Sequence, residues 1–363
     1  MTRPSIAMIL FGVMLSPACG DDASSEGTAS STGSTGSDPT TTMMPSETTT
    51  EPGTSSGPGP MTGSGSTGPG MVDSSSGTDT DTDTDTAGVD CDQIPPGPLA
   101  FDVVFEPGVV FDGSEDIAFD GQGNIVGKSG GQIVAVDAMG AEADSWPDGG
   151  NTFGLRYRSN GDLLAAKVGN NQIRIVQSGD TLVGEIGSVN GLYPDFDGNI
   201  WFTNFSAVQR VNPDDSVDSI VTGGDGNTAN GVVFDPDRGL LYYTNYGPGL
   251  IRSVEIDGDG NPGTISMVAS IPGASLDGLS MDACGNLYVV DQGNDALYRV
   301  FLDPTGAPVG DPESLVDPFP ANVANAIFGV GEGWDEMSLY AAGVPGGVYR
   351  VEIGVPGAPT PTP

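Results

Sequence analysis

The chain has 363 residues, of which 49 are acidic and 11 are basic, and its formal net charge is −38. Such a negative chain is unsuited to a phosphate backbone, so we expect no nucleic-acid partner. Histidine is absent from the sequence, which excludes Ser-His-Asp catalysis and His-ligated zinc or iron sites. Any chemistry must therefore use carboxylates, amides, hydroxyls or a hard metal ion.

The N-terminus predicts export. Arg3 precedes an apolar run at residues 6–15, which is too short to span a bilayer as a helix, so residues 1–18 are typical of a signal peptide. The Leu-Ser-Pro-Ala sequence before Cys19 resembles a bacterial lipoprotein signal, which implies lipidation of Cys19. We therefore expect a cell-envelope lipoprotein, at the outer membrane or cell surface, that contacts the membrane through its lipid alone. Cleavage after Ala18 and free secretion is the alternative.

Residues 19–90 are rich in Ser, Thr, Gly, Pro and Asp, a composition that predicts a disordered tether. The folded part is expected at residues 91–356, followed by a disordered Pro-rich tail at residues 357–363. If Cys19 carries lipid, Cys91 and Cys284 remain as an even pair in an oxidising compartment, which favours a disulfide. Two separate thiols are the alternative.

The folded part repeats itself. Its clearest copies are residues 190–211 and 277–300, each with an apolar lead, an Asp-Gly-Asn type turn and two apolar strands. Aligned copies are 38, 37, 40, 47 and 48 residues apart and start at Glu115, Phe153, Asn190, Asn230, Asp277 and Asn325. Repeats of this length with short strands and Gly-rich turns predict an all-β, six-bladed β-propeller. Residues 101–105 precede the first repeat and are expected to close the last blade.

The aligned position predicts a metal-binding central channel. Equivalent positions converge on the axis of a propeller, where apolar residues are expected, yet five of these six residues carry side-chain oxygen. A shared cation would offset the cost of burying them. Oxygen donors with two carboxylates favour Ca²⁺, although another divalent cation is possible. The alternative is that these residues cap turns at the starts of strands.

Four segments around this position carry a family resemblance. They are Glu115-Asp116-Ile117-Ala118-Phe119, Ala229-Asn230-Gly231-Val232, Leu276-Asp277-Gly278-Leu279 and Asn325-Ala326-Ile327-Phe328-Gly329. They resemble segments of the gluconolactonase/regucalcin family across residues 100–353, and the related paraoxonases are similar near Glu115 and Asn190.

The resemblance implies that Glu115, Asn230 and Asp277 hold the metal. Asn190 would line the substrate side and, as in paraoxonases, would also be a ligand. Asn325 is a further candidate for binding substrate. One position departs from the pattern: Ser188 stands where gluconolactonases of this type carry an arginine.

These residues predict a calcium-dependent hydrolase of lactones or esters. The metal would polarise the carbonyl, and Asp277 would act as general base or nucleophile. The alternative is a noncatalytic surface propeller with a structural calcium that binds a partner or polymer. The expected partner is thus a small lactone or ester, or an envelope component, and the protein is expected to be a monomer.

Overall fold

The computed structural model describes residues 89–363, which form β-strands and three short 3-10 helices. Cys19, the predicted signal peptide at residues 1–18 and nearly all of the predicted tether lie outside the described residues. Within residues 89–363 no helix is long and apolar enough to cross a bilayer. The strands form six four-stranded antiparallel sheets arranged as blades, so the predicted six-bladed propeller is confirmed.

The first three blades run from the innermost strand outward. Blade 1 contains β2 (Ala118–Phe119), β3 (Asn124–Ser129), β4 (Gln132–Asp137) and β5 (Glu142–Pro147). Blade 2 contains β6 (Thr152–Tyr157), β7 (Leu163–Lys167), β8 (Gln172–Ile175) and β9 (Thr181–Gly184). Blade 3 contains β10 (Val189–Pro194), β11 (Ile200–Asn204), β12 (Ala207–Val211) and β13 (Val217–Val221).

The remaining blades follow the same order. Blade 4 contains β14 (Ala229–Asp235), β15 (Leu240–Asn245), β16 (Leu250–Ile256) and β17 (Pro262–Ser270). Blade 5 contains β18 (Leu276–Met281), β19 (Leu287–Asp291), β20 (Ala296–Val300) and β21 (Glu313–Val316). Blade 6 contains β22 (Asn325–Phe328), β23 (Ser338–Ala342) and β24 (Val348–Glu352), with β1 (Phe101–Phe105) at its outer edge. The 3-10 helices are Cys91–Gln93, Val168–Asn170 and Gly223–Gly226.

Blade 6 closes the ring with strands from both ends of the folded part. Phe101 pairs with Val351, and Asp102 with Arg350, in the antiparallel β1–β24 ladder. This confirms the prediction that residues 101–105 complete the last blade. Joining the first and last strands in one sheet leaves no open gap between blades, which removes a free sheet edge at that position.

The core lies between neighbouring blades, because each sheet presents apolar side chains to the next. Between blades 6 and 1, the Trp334 ring lies 5.1 Å from Phe119 and 5.4 Å from Tyr340, measured between ring centroids. Phe111 and Ile117, in the same cluster, are fully buried. Contacts of this kind hold the inner strands at fixed separations around the axis.

The C-terminal tail differs from the sequence prediction of disorder. The Ala358 N–H donates to the Met281 carbonyl at 2.9 Å, and the Ala283 N–H donates to the Pro356 carbonyl at the same distance. Gly357 forms an antiparallel bridge with Asp282, and Pro361 is buried. The Pro-rich composition suggested a segment without regular partners. Backbone groups at the end of β18 in blade 5, distant in sequence, form the hydrogen bonds that hold it.

A disulfide joins Cys91 to Cys284, the pairing that the sequence favoured over separate thiols. It connects the short 3-10 helix before β1 to the turn between β18 and β19. The two cysteines are 193 residues apart in sequence. A cross-link across such a long stretch strongly restricts the unfolded chain, so it stabilises the native state.

We expect the Cys91→Ser and Cys284→Ser variants each to lose about 3 kcal/mol of the free energy of unfolding. The double variant should lose no more than either single one, because each change removes the same cross-link. Urea unfolding with and without dithiothreitol measures this. Reductant should lower the stability of the wild type and leave the variants unchanged; an insensitive wild type would contradict the prediction.

Candidate metal centre and channel

A bulge starts the inner strand of blades 3, 4 and 5. In blade 3, Val189 pairs with Asn204 and Leu192 pairs with Phe202, so Asn190 and Gly191 together face one residue. The corresponding residues of blades 4 and 5 are Asn230-Gly231 and Asp277-Gly278. A bulge turns a side chain away from the regular alternation of the strand. All three aligned polar residues therefore occupy equivalent positions on the channel.

The glycine of each bulge allows the next blade to approach. A Cβ atom on Gly191 would collide with the Asn230 carbonyl oxygen, and one on Gly231 would collide with the Asp277 carbonyl oxygen. A Cβ on Gly278 would strike the side chain of Asn325 in blade 6. Glycine is required by this close backbone approach. The aligned residues of blades 3 to 6 are thus neighbours around the channel.

Two threonines join the bulges of adjacent blades, and sequence reasoning missed them. The Thr203 hydroxyl accepts from the Gly191 N–H at 2.9 Å and donates to the Asn230 carbonyl oxygen. Thr244 repeats the arrangement one blade further and donates to the Asp277 carbonyl oxygen at 2.8 Å. The repeated aromatic-Thr-Asn sequence at the ends of β11 and β15 is the signal that could have identified them. These hydroxyls fix the backbone from which the candidate ligands project.

Asp116 completes the ring between blades 6, 1 and 2. The Asn325 side-chain amide donates to Asp116 Oδ1 at 2.7 Å, and the Leu155 N–H donates to Oδ2 at 2.9 Å. Arg156 forms an ion pair with Asp116 Oδ2 at 2.6 Å. The Asn325 side-chain oxygen Oδ1 accepts from the Ala326 N–H at 2.8 Å. Both ends of the Asn325 amide are therefore engaged inside the ring.

The electrostatics of the channel depend mainly on two carboxyl groups, Glu115 just before the inner strand of blade 1 and Asp277 in the inner strand of blade 5. Burial raises the pKa of Glu115 to about 7, and the neighbouring Asp116 charge adds to the rise, while Lys128 partly opposes it. Burial also raises the pKa of Asp277 well above its ordinary value, with a further contribution from the Glu115 charge. The Glu115 charge thus disfavours ionisation of Asp277, as expected for like charges in a buried site.

The donor set fits a hard cation. Asn190 and Asn230 are 5% and 3% exposed, so their amide oxygens add uncharged donors from the blades next to Asp277. In the described part of the chain, no three His, Cys, Asp or Glu side chains form a group that could hold a metal. The candidate set contains two carboxylates and therefore relies on these amides. A divalent cation would stabilise the ionised form of both carboxylates, which the protein alone penalises.

The aligned position of blade 2, Phe153, contributes no side-chain oxygen. Phe153 sits as an extra residue in β6, since Thr152 pairs with Lys167 and Gly154 pairs with Ala166. Ser188, the position that departs from the family pattern, is partly buried just before β10. The structure thus places donors on blades 1, 3, 4 and 5 and an aromatic ring on blade 2.

Residues at the channel mouth also escaped the sequence analysis. Gln292, just after β19, lies within hydrogen-bonding reach of Glu115 and lowers its pKa. The Tyr246 hydroxyl donates to Gln292 Oε1 at 2.8 Å. Lys128 Nζ lies 3.6 Å from Asp148 Oδ2. Tyr246 and Gln292 each follow the second strand of their blade, so their shared repeat position was the available signal.

Comparison with known proteins identifies the family. A family model described as the SMP-30/Gluconolactonase/LRE-like region matches residues 123–338, more than half of the chain. This chain belongs to that family. No curated protein matches it.

Solved structures of SMP-30/gluconolactonase-like proteins share the fold. A gluconolactonase from Xanthomonas campestris is 20% identical, with 74% of this chain and 96% of that chain covered and a TM-score of 0.57. A calcium-binding protein, regucalcin, from Agrobacterium tumefaciens is 17% identical, with 73% and 97% covered and a TM-score of 0.58. A luciferin-regenerating enzyme is 16% identical, with 73% and 99% covered and a TM-score of 0.58. At these identities the likeness shows the fold.

We expect Gly231→Ala to lower the free energy of unfolding by about 2–4 kcal/mol, because the new methyl group must displace the Asp277 carbonyl. Gly258→Ala is the matched control in the same blade, since a Cβ there meets nothing within 4 Å. Urea unfolding of both variants tests the close approach. Equal stabilities would show that blades 4 and 5 do not touch at the bulge.

When a chelator removes divalent cations, the raised pKa of Glu115 should make the free energy of unfolding depend on pH. A group with a raised pKa in the folded state contributes fully below its unfolded value of 4.5, and its contribution is lost as pH rises through about 7. Glu115→Gln should match the wild type near pH 4.5 and be more stable by about 3 kcal/mol at pH 8. Thermal unfolding across this pH range in EDTA measures the difference. A difference independent of pH would contradict this prediction.

Proposed function

We propose that this protein is a calcium-dependent hydrolase of small lactones or esters. The observation that carries the proposal is the carboxyl pair of partly buried Glu115 and buried Asp277, which shares the channel with two buried amide side chains at equivalent bulges of neighbouring blades. Membership of the SMP-30/gluconolactonase-like family supports the same activity. Oxygen ligands of mixed charge suit Ca²⁺ better than zinc, which prefers nitrogen and sulfur, or magnesium, which retains most of its waters.

Glu115, Asn190, Asn230 and Asp277 would hold the ion. When bound, a divalent cation polarises a carbonyl group and stabilises the negative charge that develops on its oxygen. Asn190 would also orient the substrate, because its blade borders the ring position filled by Phe153. Asn325 would help to position the substrate from blade 6. Its side-chain amide is held in place by hydrogen bonds to Asp116 and to the Ala326 N–H.

Asp277 would move the proton in the reaction. One of its oxygens accepts a proton from the water whose oxygen attacks the ester carbonyl. As the bond between the carbonyl carbon and the alkoxy oxygen breaks, the Asp277 carboxylic acid returns the proton to the departing oxygen. A lactone and one water thus give one hydroxy acid. Burial of Asp277 supports this role, because a desolvated carboxylate is a stronger base than an exposed one.

A noncatalytic calcium-binding propeller is the second candidate. Ser188 favours it, because the shell that would recognise a sugar lactone lacks the arginine expected from the family resemblance. In that case the ion would rigidify the blades, and the loops would contact a polymer or an envelope partner.

We further propose export to the cell envelope with Cys19 lipidated, and secretion after cleavage at Ala18 is the alternative. The Cys91–Cys284 disulfide supports an oxidising compartment. Residues 19–90 would serve as the tether between lipid and propeller, and the propeller would act as a monomer.

The activity is tested with a panel of γ-butyrolactone, δ-gluconolactone and phenyl acetate, with calcium or with EDTA. We expect turnover that EDTA abolishes and calcium restores. Asp277→Asn should lower turnover about 10²–10⁴-fold at saturating calcium, because it cannot accept the proton. Asp259→Asn is the control for the same chemical change in an exposed turn and should leave turnover unaltered.

Two results would count against the proposed hydrolase activity. Undiminished turnover of the Asp277→Asn variant would remove the proposed base. Calcium binding by the wild type, measured by calorimetry, without turnover of any panel member would favour the noncatalytic propeller.

A further inference from the structure

A cavity lies at the end of the inner strands opposite the candidate metal centre. Asn190 is near the start of β10, whereas Tyr193 and Pro194 at its end line this cavity. Asn190 and Pro194 are four positions apart in the strand, roughly 13 Å at the usual rise. The cavity measures about 250 Å³ and its walls include the ends of the inner strands of five blades.

The C-terminal segment, residues 356–362, covers this cavity. Its backbone is bonded to Met281 and Ala283 at the end of blade 5. A Cβ on Gly121 would lie 3.3 Å from Thr362, so the segment also reaches a turn of blade 1. The chain therefore crosses the mouth of the cavity from blade 5 to blade 1 and covers part of it.

Arg156 offers unused donors at the wall of the cavity. Its Nη1 nitrogen donates to the Asp116 carboxylate and to the carbonyl oxygens of Leu155 and Ile117. Within residues 89–363, its Nε and Nη2 nitrogens make no hydrogen bond. Both remain accessible from the cavity or solvent. Since Arg156 lines the cavity, these N–H groups are available to a bound acceptor.

Tyr193 is a second donor in the same wall. The residue is 9% exposed, and within residues 89–363 its hydroxyl makes no hydrogen bond and remains accessible from the cavity or solvent. The hydroxyl is therefore free to donate to a bound acceptor. Phe119, Met281 and Phe328 supply apolar surface beside it. The wall thus combines aromatic and aliphatic surface with two side chains that have donors free to bind a ligand.

Charge selects among acceptors. Asp116 neutralises Arg156 through the 2.6 Å ion pair, and Glu336 is a further carboxyl group in the wall. A ligand carboxylate would meet this negative side chain, while a neutral carbonyl oxygen would accept from Arg156 and Tyr193 without repulsion. A cavity of 250 Å³ exceeds the roughly 150 Å³ that holds benzene, so it suits a molecule of about ten non-hydrogen atoms.

We propose that this cavity is a second small-molecule site, specific for an uncharged, mainly apolar compound with one carbonyl oxygen. The ligand's ring or chain would contact Phe119, Met281 and Phe328, and its oxygen would accept from Arg156 and Tyr193. Residues 356–362 form the cover through which it enters. The site is separate from the proposed hydrolase centre, because its binding groups do not include Glu115, Asn190, Asn230 or Asp277, although Arg156 also pairs with Asp116 of the ring.

The test is calorimetric titration of the full chain in EDTA with acetophenone, ethylbenzene and benzoate. Acetophenone has the carbonyl, ethylbenzene lacks the acceptor, and benzoate carries the charge. We expect acetophenone to bind saturably and about fivefold to tenfold more tightly than either of the others. No saturable binding, equal affinity for ethylbenzene, or tighter binding of benzoate would each overturn the proposal.

Variants locate the binding. Tyr193→Phe should remove most of the preference for acetophenone over ethylbenzene, whereas Tyr298→Phe, a partly buried tyrosine outside the cavity wall, should retain it. Truncation after Val355 should raise the dissociation rate at least tenfold, measured by NMR line shape. Retention of the preference in Tyr193→Phe, or binding that requires calcium, would place the ligand elsewhere and overturn the proposal.

Discussion

The candidate metal centre depends on how closely adjacent blades approach at the glycine of each bulge. At Gly191 and Gly231 the carbonyl oxygen of the following blade occupies the space that a Cβ would need. This contact places the residue before each glycine on the channel and fixes its distance from the next one. Thr203 and Thr244 hold the same geometry through hydrogen bonds. Without the close approach, the polar side chains would cap separate turns, as isolated asparagines commonly do.

Much of this arrangement was predictable from the sequence because it repeats. The aligned positions identified Asn190, Asn230 and Asp277 as equivalent, and the structure places all three at equivalent bulges. The closing strand was predictable because it precedes the first repeat and the last blade lacked a strand. Repetition converts spacing in sequence into position in space, which is why the propeller and its channel could be inferred together.

The rest depends on pairings between distant residues, which a single sequence does not encode locally. Asp116 receives its donors from blades 2 and 6, and Gln292 reaches Glu115 across the channel. The tail was misjudged for a similar reason: its composition is typical of disorder, yet its partners are backbone groups at the end of blade 5. Composition describes what a segment can do alone, and here the determining contacts come from elsewhere in the fold.

Glu115 and Asp116 show how one fold assigns opposite roles to adjacent carboxylates. Asp116 is satisfied by an arginine, an amide and backbone N–H groups, so its charge is balanced by the protein itself. Glu115 has a distant lysine and a glutamine, and it faces Asp277. Arg156 thus pairs with Asp116, the carboxylate that closes the ring. Among the described residues, no arginine or lysine forms an ion pair with Glu115 or Asp277. That division favours an external cation at Glu115 and Asp277, because without one the buried pair can avoid charge repulsion only by binding protons, which the raised pKa of each group reflects.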